Sequence, residues 1–104
     1  MSKNPYRQDR EELRELLQQF ENLKAGKPNS FIEEDAFERI IDYYDEKEQF
    51  NDALEVTEYG INQYPFSASL LLKKADLLIS KRSYKEALFT LEAAELLDSS
   101  DTLL

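Results

Sequence analysis

Apolar residues recur along the chain at helical steps, interrupted by a few sharp breaks. Leu13, Leu16, Leu17, Phe20 and Leu23 follow one another at three- and four-residue intervals, the spacing of one face of an amphipathic helix. Asp9, with Glu12 three residues on, predicts an N-cap and hence a helix over Asp9 to Lys24, which Gly26 and Pro28 stop. A second stripe, Ala36, Phe37, Ile40, Ile41, Tyr43 and Tyr44, follows another capping pair, Ser30 and Glu33, and fades in the polar run Asp45 to Gln49. A third carries Ala53, Leu54, Thr57, Gly60, Ile61 and Tyr64 from near Asn51 up to Pro65, where the pyrrolidine ring forbids further helix. The fourth runs from about Ser67 to Ser80 with Leu70, Leu71, Ala75, Leu77, Leu78 and Ile79, the fifth from about Tyr84 to Leu97 with Ala87, Leu88, Leu91, Ala94 and Leu97. Connections of a few residues make neighbouring helices antiparallel. The pattern predicts an all-α chain of about five helices, four of them in two hairpins.

The last four predicted helices repeat. Sliding the sequence on itself by 34 residues pairs Phe50 with Tyr84, Asp52 with Glu86, Ala53 with Ala87, Leu54 with Leu88, Glu58 with Glu92 and Gly60 with Ala94. Only five of the 34 pairs are identical, so the signal lies in the order of small and large residues rather than in identity. Two antiparallel helices approach closely only where one presents a small side chain, and Ala53 and Ala87 leave that gap for the larger residues of the preceding helix. Gly60 and Ala94 repeat the device two turns later. A lone hairpin cannot bury both faces, so the repeats must stack into one continuous core. The alternative is a non-repeating helical bundle in which Ala-Leu recurs by chance.

With this spacing the chain resembles the tetratricopeptide repeat family, whose unit is a 34-residue helix-turn-helix. About Glu34 to Ser67 follows the family pattern with Phe37 in place of the usual Trp, then Ile40, Tyr44, Ala53 and Pro65. About Ala68 to Asp101 offers Leu71, Ala75, Leu78, Ala87, Leu91 and Ala94. Ile41, Thr57, Lys74 and Ser99 stand where the family prefers Gly, Phe, Leu and Pro, which bears on the tilt of each hairpin. The resemblance implies a right-handed α-α superhelix of antiparallel hairpins, a solenoid. Residues 1–30 are then an N-terminal capping helix and linker, 31–67 a first hairpin, and 68–104 a second hairpin with a truncated C-terminal segment. Helix Asp9 to Lys24 also reads as half of a worn earlier unit, although Gln19 occupies the position of Ala53 and Ala87 and argues against close packing there. Residues 101–104 resemble the opening of a third unit, as in a piece of a longer array or an open end that pairs with another copy.

Composition narrows the chemistry. The chain of 104 residues has neither Cys nor His, which removes thiolate catalysis, soft-metal sites, and the commonest general base at neutral pH. No apolar run approaches a membrane span, and Met1 to Arg10 is too polar for a secretory leader; a cytoplasmic location is the expectation. The net charge of -9 belongs to the middle third, where residues 31–66 set Arg39 and Lys47 against eleven acidic side chains. Such a surface repels phosphate backbones and anionic lipid, so neither nucleic acid nor membrane is expected as a partner.

The acidic residues suggest where a partner binds. Glu38, Asp42, Asp45 and Glu46 fall on the side of their helix opposite Phe37, Ile40, Ile41 and Tyr44. In the family it resembles, the first helix of each unit lines a concave groove that receives an extended peptide or a partner helix. Carried over position by position, the groove holds Asp35, Glu38, Asp42, Asp45 and Glu46 from the first unit and Ser69, Leu72, Lys73, Asp76 and Ile79 from the second. Carboxylates four apart repel by a few tenths of a kcal/mol, a cost that a basic partner relieves; the plainer reading is a solvated face that keeps the chain soluble. Leu72 and Ile79 are the apolar anchors, or else the seat of a following unit. Family members that grip a terminal carboxylate do so with Lys, Arg and Asn, whereas Glu38 and Asp42 carry the opposite charge. No sequence motif marks a catalytic, cofactor or metal site.

These readings converge on a non-catalytic scaffold that presents a groove to a protein or peptide bearing Lys/Arg and apolar anchors. A structural alternative is homo-oligomerisation through the uncapped C-terminal hairpin, with Leu88, Leu91, Leu96 and Leu97 as candidates. An enzyme built on a carboxylate pair is the third.

Overall fold

Helix boundaries follow the breakers more closely than the expected caps. A computed structural model describes the backbone of residues 5–102 and the side chains of residues 9–98. Within it the chain forms α1 (Pro5–Lys24), α2 (Glu34–Glu46), α3 (Phe50–Gln63), α4 (Ala68–Ser80) and α5 (Tyr84–Thr102), with no strand among the described residues. Asp9 does not cap α1. The helix begins at Pro5, since proline at a first helical position has the right φ and lacks an N–H that would go unpaired anyway. Ser30 does not cap α2 either: its hydroxyl donates to the carbonyl of Lys27, Asn29 before it is left-handed (φ 60°), and α2 starts from Glu33 with no side-chain cap. Ser67 does act as a cap, its Oγ accepting from the amide of Leu70 at 3.2 Å. The fifth helix passes Ser99 and runs to Thr102 rather than ending near Leu97, because no proline or glycine follows to stop it. Asp101 and Thr102 therefore continue α5; Leu103 and Leu104, the rest of the expected third-unit opening, lie outside the described residues.

The period seen in the sequence reappears in the backbone. α4 begins and ends 34 residues after α2, and α5 begins 34 residues after α3. The turns match bond for bond. Glu48 N donates to Asp45 O and Gln49 N to Tyr44 O, while Arg82 N donates to Ile79 O and Ser83 N to Leu78 O. This pair of crossed bonds closes a helix end through a left-handed residue, here Glu48 (φ 57°) and Arg82 (φ 62°). The end of α1 uses the same bonds, Gly26 N to Leu23 O and Lys27 N to Asn22 O, with Gly26 at φ 73°.

The core lies where α2 and α3 meet. Phe37, Ile40 and Ile41 of α2 are buried against Ala53, Val56 and Gly60 of α3. A Cβ built on Gly60 would stand 3.2 Å from Cγ of Phe37 and 3.2 Å from Cδ1 of Leu70, so one missing methyl lets α3 meet both α2 and α4. Ala53, Ala87 and Ala94 are likewise buried. α4 packs on α5 and also leans on α2 and α3. At the other end α1 covers the first hairpin: Phe20 is buried with its ring edge-on to Tyr59 at 5.4 Å, and Leu16, Leu17 and Leu23 pack on the same core. Gln19 faces solvent. Ile32, in the loop before α2, is also buried, its carbonyl accepting from the Tyr64 hydroxyl at 2.9 Å. Thr57, in the position where the resembling family prefers Phe, turns its hydroxyl onto the Ala53 carbonyl at 2.7 Å, so its buried oxygen is satisfied inside α3. The extents of 51 × 32 × 32 Å and a radius of gyration of 15.3 Å, against about 13 Å for a globule of this length, describe an elongated stack.

Candidate partner-binding face

α2 and α4 run side by side, and two polar contacts join them. Ser69 Oγ donates to Glu38 Oε2 at 3.1 Å, and Lys73 Nζ to Asp42 Oδ1 at 2.7 Å. Ser69 and Lys73 are one turn apart on α4, as Glu38 and Asp42 are on α2, so the two helices present matching faces over that turn. Four of the ten expected groove residues are thereby brought together. Asp35 is exposed in the first turn of α2, Asp45 and Glu46 are exposed in its last turn, beyond the contacts, and Asp76 is exposed on α4.

The Asp42 carboxylate is not an open negative charge, because Lys73 sits on it. Asp42 is 54% exposed in its side chain and water screens the pair, so it contributes at most about 1 kcal/mol. The arrangement leaves Asp35, Asp45, Glu46 and Asp76 presenting charge to solvent around one neutralised centre. Leu72 and Ile79 are each 44% exposed. Seven residues apart, they form a short apolar stripe beside Asp76. The combination offers carboxylates at the rim and two aliphatic anchors, on elements whose backbone is fixed by the core below.

Other charges serve the packing of successive helices. Lys74 of α4 reaches Glu58 of α3 at 3.2 Å, Lys24 of α1 reaches Glu55 of α3 at 3.3 Å, and Arg39 of α2 reaches Glu12 of α1 at 3.3 Å. Lys81 also bonds the side chain of Asn51. Among the described residues no group of three or more His, Cys, Asp or Glu converges to hold a metal ion. No helix among them is long and apolar enough to cross a membrane.

Three exposed aromatics escaped the sequence reading, one of them Phe89 of α5, 75% exposed. Phe31 and Phe66 are 67% and 81% exposed, on either side of Tyr64 in the turns that flank the first hairpin. Phe31 meets the Tyr64 ring at 6.2 Å, and Tyr64 meets Phe37 at 6.2 Å. The available signal was Tyr-Pro-Phe at 64–66, an aromatic placed directly after a helix breaker, where no helical stripe can bury it. Compared with family models, curated proteins and solved structures, the chain matches none.

Proposed function

We propose that the chain is a non-catalytic interaction module of the tetratricopeptide type, its hairpins stacked into a right-handed superhelix and its α2/α4 face receiving a peptide or helix of a partner protein. The observation that carries this reading is the pairing of α2 with α4. Helices 34 residues apart lie side by side through Ser69–Glu38 and Lys73–Asp42, with Leu72 and Ile79 partly open beside them. The elongated stack and the small residues at both helix crossings support it. The partner is a protein segment with Lys or Arg and apolar anchors, neither nucleic acid nor membrane, met in the cytoplasm. No catalytic group, cofactor or metal enters the proposal.

A synthetic amphipathic helix of Lys and Leu serves as the probe. Its binding, followed by amide chemical shifts, should move residues around Asp35, Glu38, Asp42, Leu72 and Ile79. It should also weaken as salt rises, since exposed charges are screened over about 10 Å at 0.1 M. Glu38→Lys with Asp42→Lys should weaken it about tenfold or more, a difference of roughly 1.4 kcal/mol. Binding that ignores both salt and the reversals rejects the acidic groove.

A second reading has its own observation. Leu88 and Leu96 on α5 are 60% and 72% exposed, and Leu91 and Leu97 are half-buried, so the C-terminal hairpin keeps an apolar outer side that a second copy could cover. Sedimentation over a wide concentration range decides it: mass rising with concentration, and falling back in Leu88→Glu, supports self-association, whereas a constant monomer mass dismisses it.

A further inference from the structure

The turn between α3 and α4 borders an open concavity of about 530 Å³ lined by Glu34, Gln63, Pro65, Phe66 and Ser69. Two features of its wall point to one kind of occupant. Phe66, 81% exposed, offers a ring face that no core residue uses. The carboxylate of Glu34 accepts one hydrogen bond, from Ser67 Oγ, and an ionised carboxylate has lone pairs for more.

Charge favours a cation: Glu34 is the one charged side chain of the lining, and no Lys or Arg is among it. Burial first, and then the carboxylates of Glu33, Glu34 and Asp35, push the Tyr64 phenol above its ordinary value, as a locally negative potential does.

We propose that this concavity is a seat for a basic side chain of a partner protein, arginine in preference to lysine, its guanidinium stacked on Phe66 and hydrogen-bonded to Glu34. A planar cation that stacks on an aromatic face and donates sideways to a carboxylate matches the wall better than a compact ammonium does. The seat adjoins the proposed groove, because Ser69 both lines it and donates to Glu38. It rests on the reading of the chain as a binding module but uses none of Asp42, Asp45, Glu46, Leu72 or Ile79.

N-acetyl-argininamide is the probe, with the neutral isostere N-acetyl-citrullinamide as control, each titrated against the full chain by amide and aromatic chemical shifts. The arginine probe should move Glu34 and residues 63–69, and citrullinamide should not. Phe66→Ala and Glu34→Gln should each weaken binding about tenfold or more, with shifts elsewhere unchanged to show that the fold is kept. Equal shifts from both probes, shifts spread alike over Asp42, Asp45 and Glu46, or full binding by both variants would overturn the seat. Because the lysine-leucine helix reports on Glu38 and Asp42, a failed seat and a failed groove give different patterns.

Discussion

Gly60 shows how much rests on one missing methyl. Its backbone is wedged between the ring of Phe37 and the side chain of Leu70, both fully buried and with nowhere to retreat. Gly60→Val should therefore cost about 1–3 kcal/mol by overpacking, beyond any gain in helix propensity, and Ala87→Leu should cost a similar amount at the crossing of α4 and α5. Urea midpoints at a constant m-value measure both; neutral results would mean that these helices do not cross there. The need for small residues at 53, 60, 87 and 94 was legible in the sequence, because it is a demand of close helix approach and repeats with the fold. Ile32 was not legible. It is a loop residue outside any helical stripe, and only the return of Tyr64 onto its carbonyl makes it part of the core.

At the scale of the element, starts and stops differed in how well sequence foretold them. Pro65 and Gly26 ended helices as their backbone preferences dictate, and Ser67 opened one. Asp9 and Ser30 had the capping pattern without the role, since a cap is a geometry that several polar residues can supply and flanking backbone decides which does. The turns after α2 and α4 were placed by the fading stripes, but their left-handed residues carried no signal, because Glu48 and Arg82 adopt φ values near 60° that ordinarily call for Gly or Asn. Each bears about 1–2 kcal/mol of left-handed strain. Arg82→Gly, at an exposed position, should raise stability by about 0.5–1 kcal/mol, read as a higher thermal midpoint. A lower midpoint would mean that the arginine side chain holds the turn by contacts worth more than the strain.

For the whole molecule, helix-to-helix contacts decide how stability answers to alkali. Burial first, then the charges of Asp52 on α3 and Glu21 on α1, raise the Tyr44 phenol above its ordinary value. Burial lowers Lys24, but Glu55 and Glu21 outweigh it and the net shift is upward. With Tyr64 raised as well, the native state holds these protons more tightly than the unfolded chain does. Their contribution is whole below the unfolded values, about 10 for Tyr and 10.4 for Lys, and is lost as pH rises through the higher native ones. The urea midpoint should fall as pH rises above about 10, and less steeply in Tyr44→Phe. A flat profile would show that neither burial nor the neighbouring acids hold these protons more tightly in the native state.

The sequence by itself determined that the chain is helical, where most helices lie, and that the last four repeat with a fixed period, because periodicity, breakers and small-residue spacing are local properties of the chain. Part of the candidate face was legible for the same reason: a helical wheel puts Glu38 and Asp42 opposite Phe37 and Ile40. Tertiary structure alone decided that Lys73 would neutralise Asp42, that Ser69 would bond Glu38, and that Phe66, Glu34 and Gln63 would line one open concavity. Those contacts join residues about 30 apart along the chain, and no local pattern specifies how far one helix leans on the next. That lean is set by the volumes packed between them, of which the absent side chain of Gly60 is the clearest case.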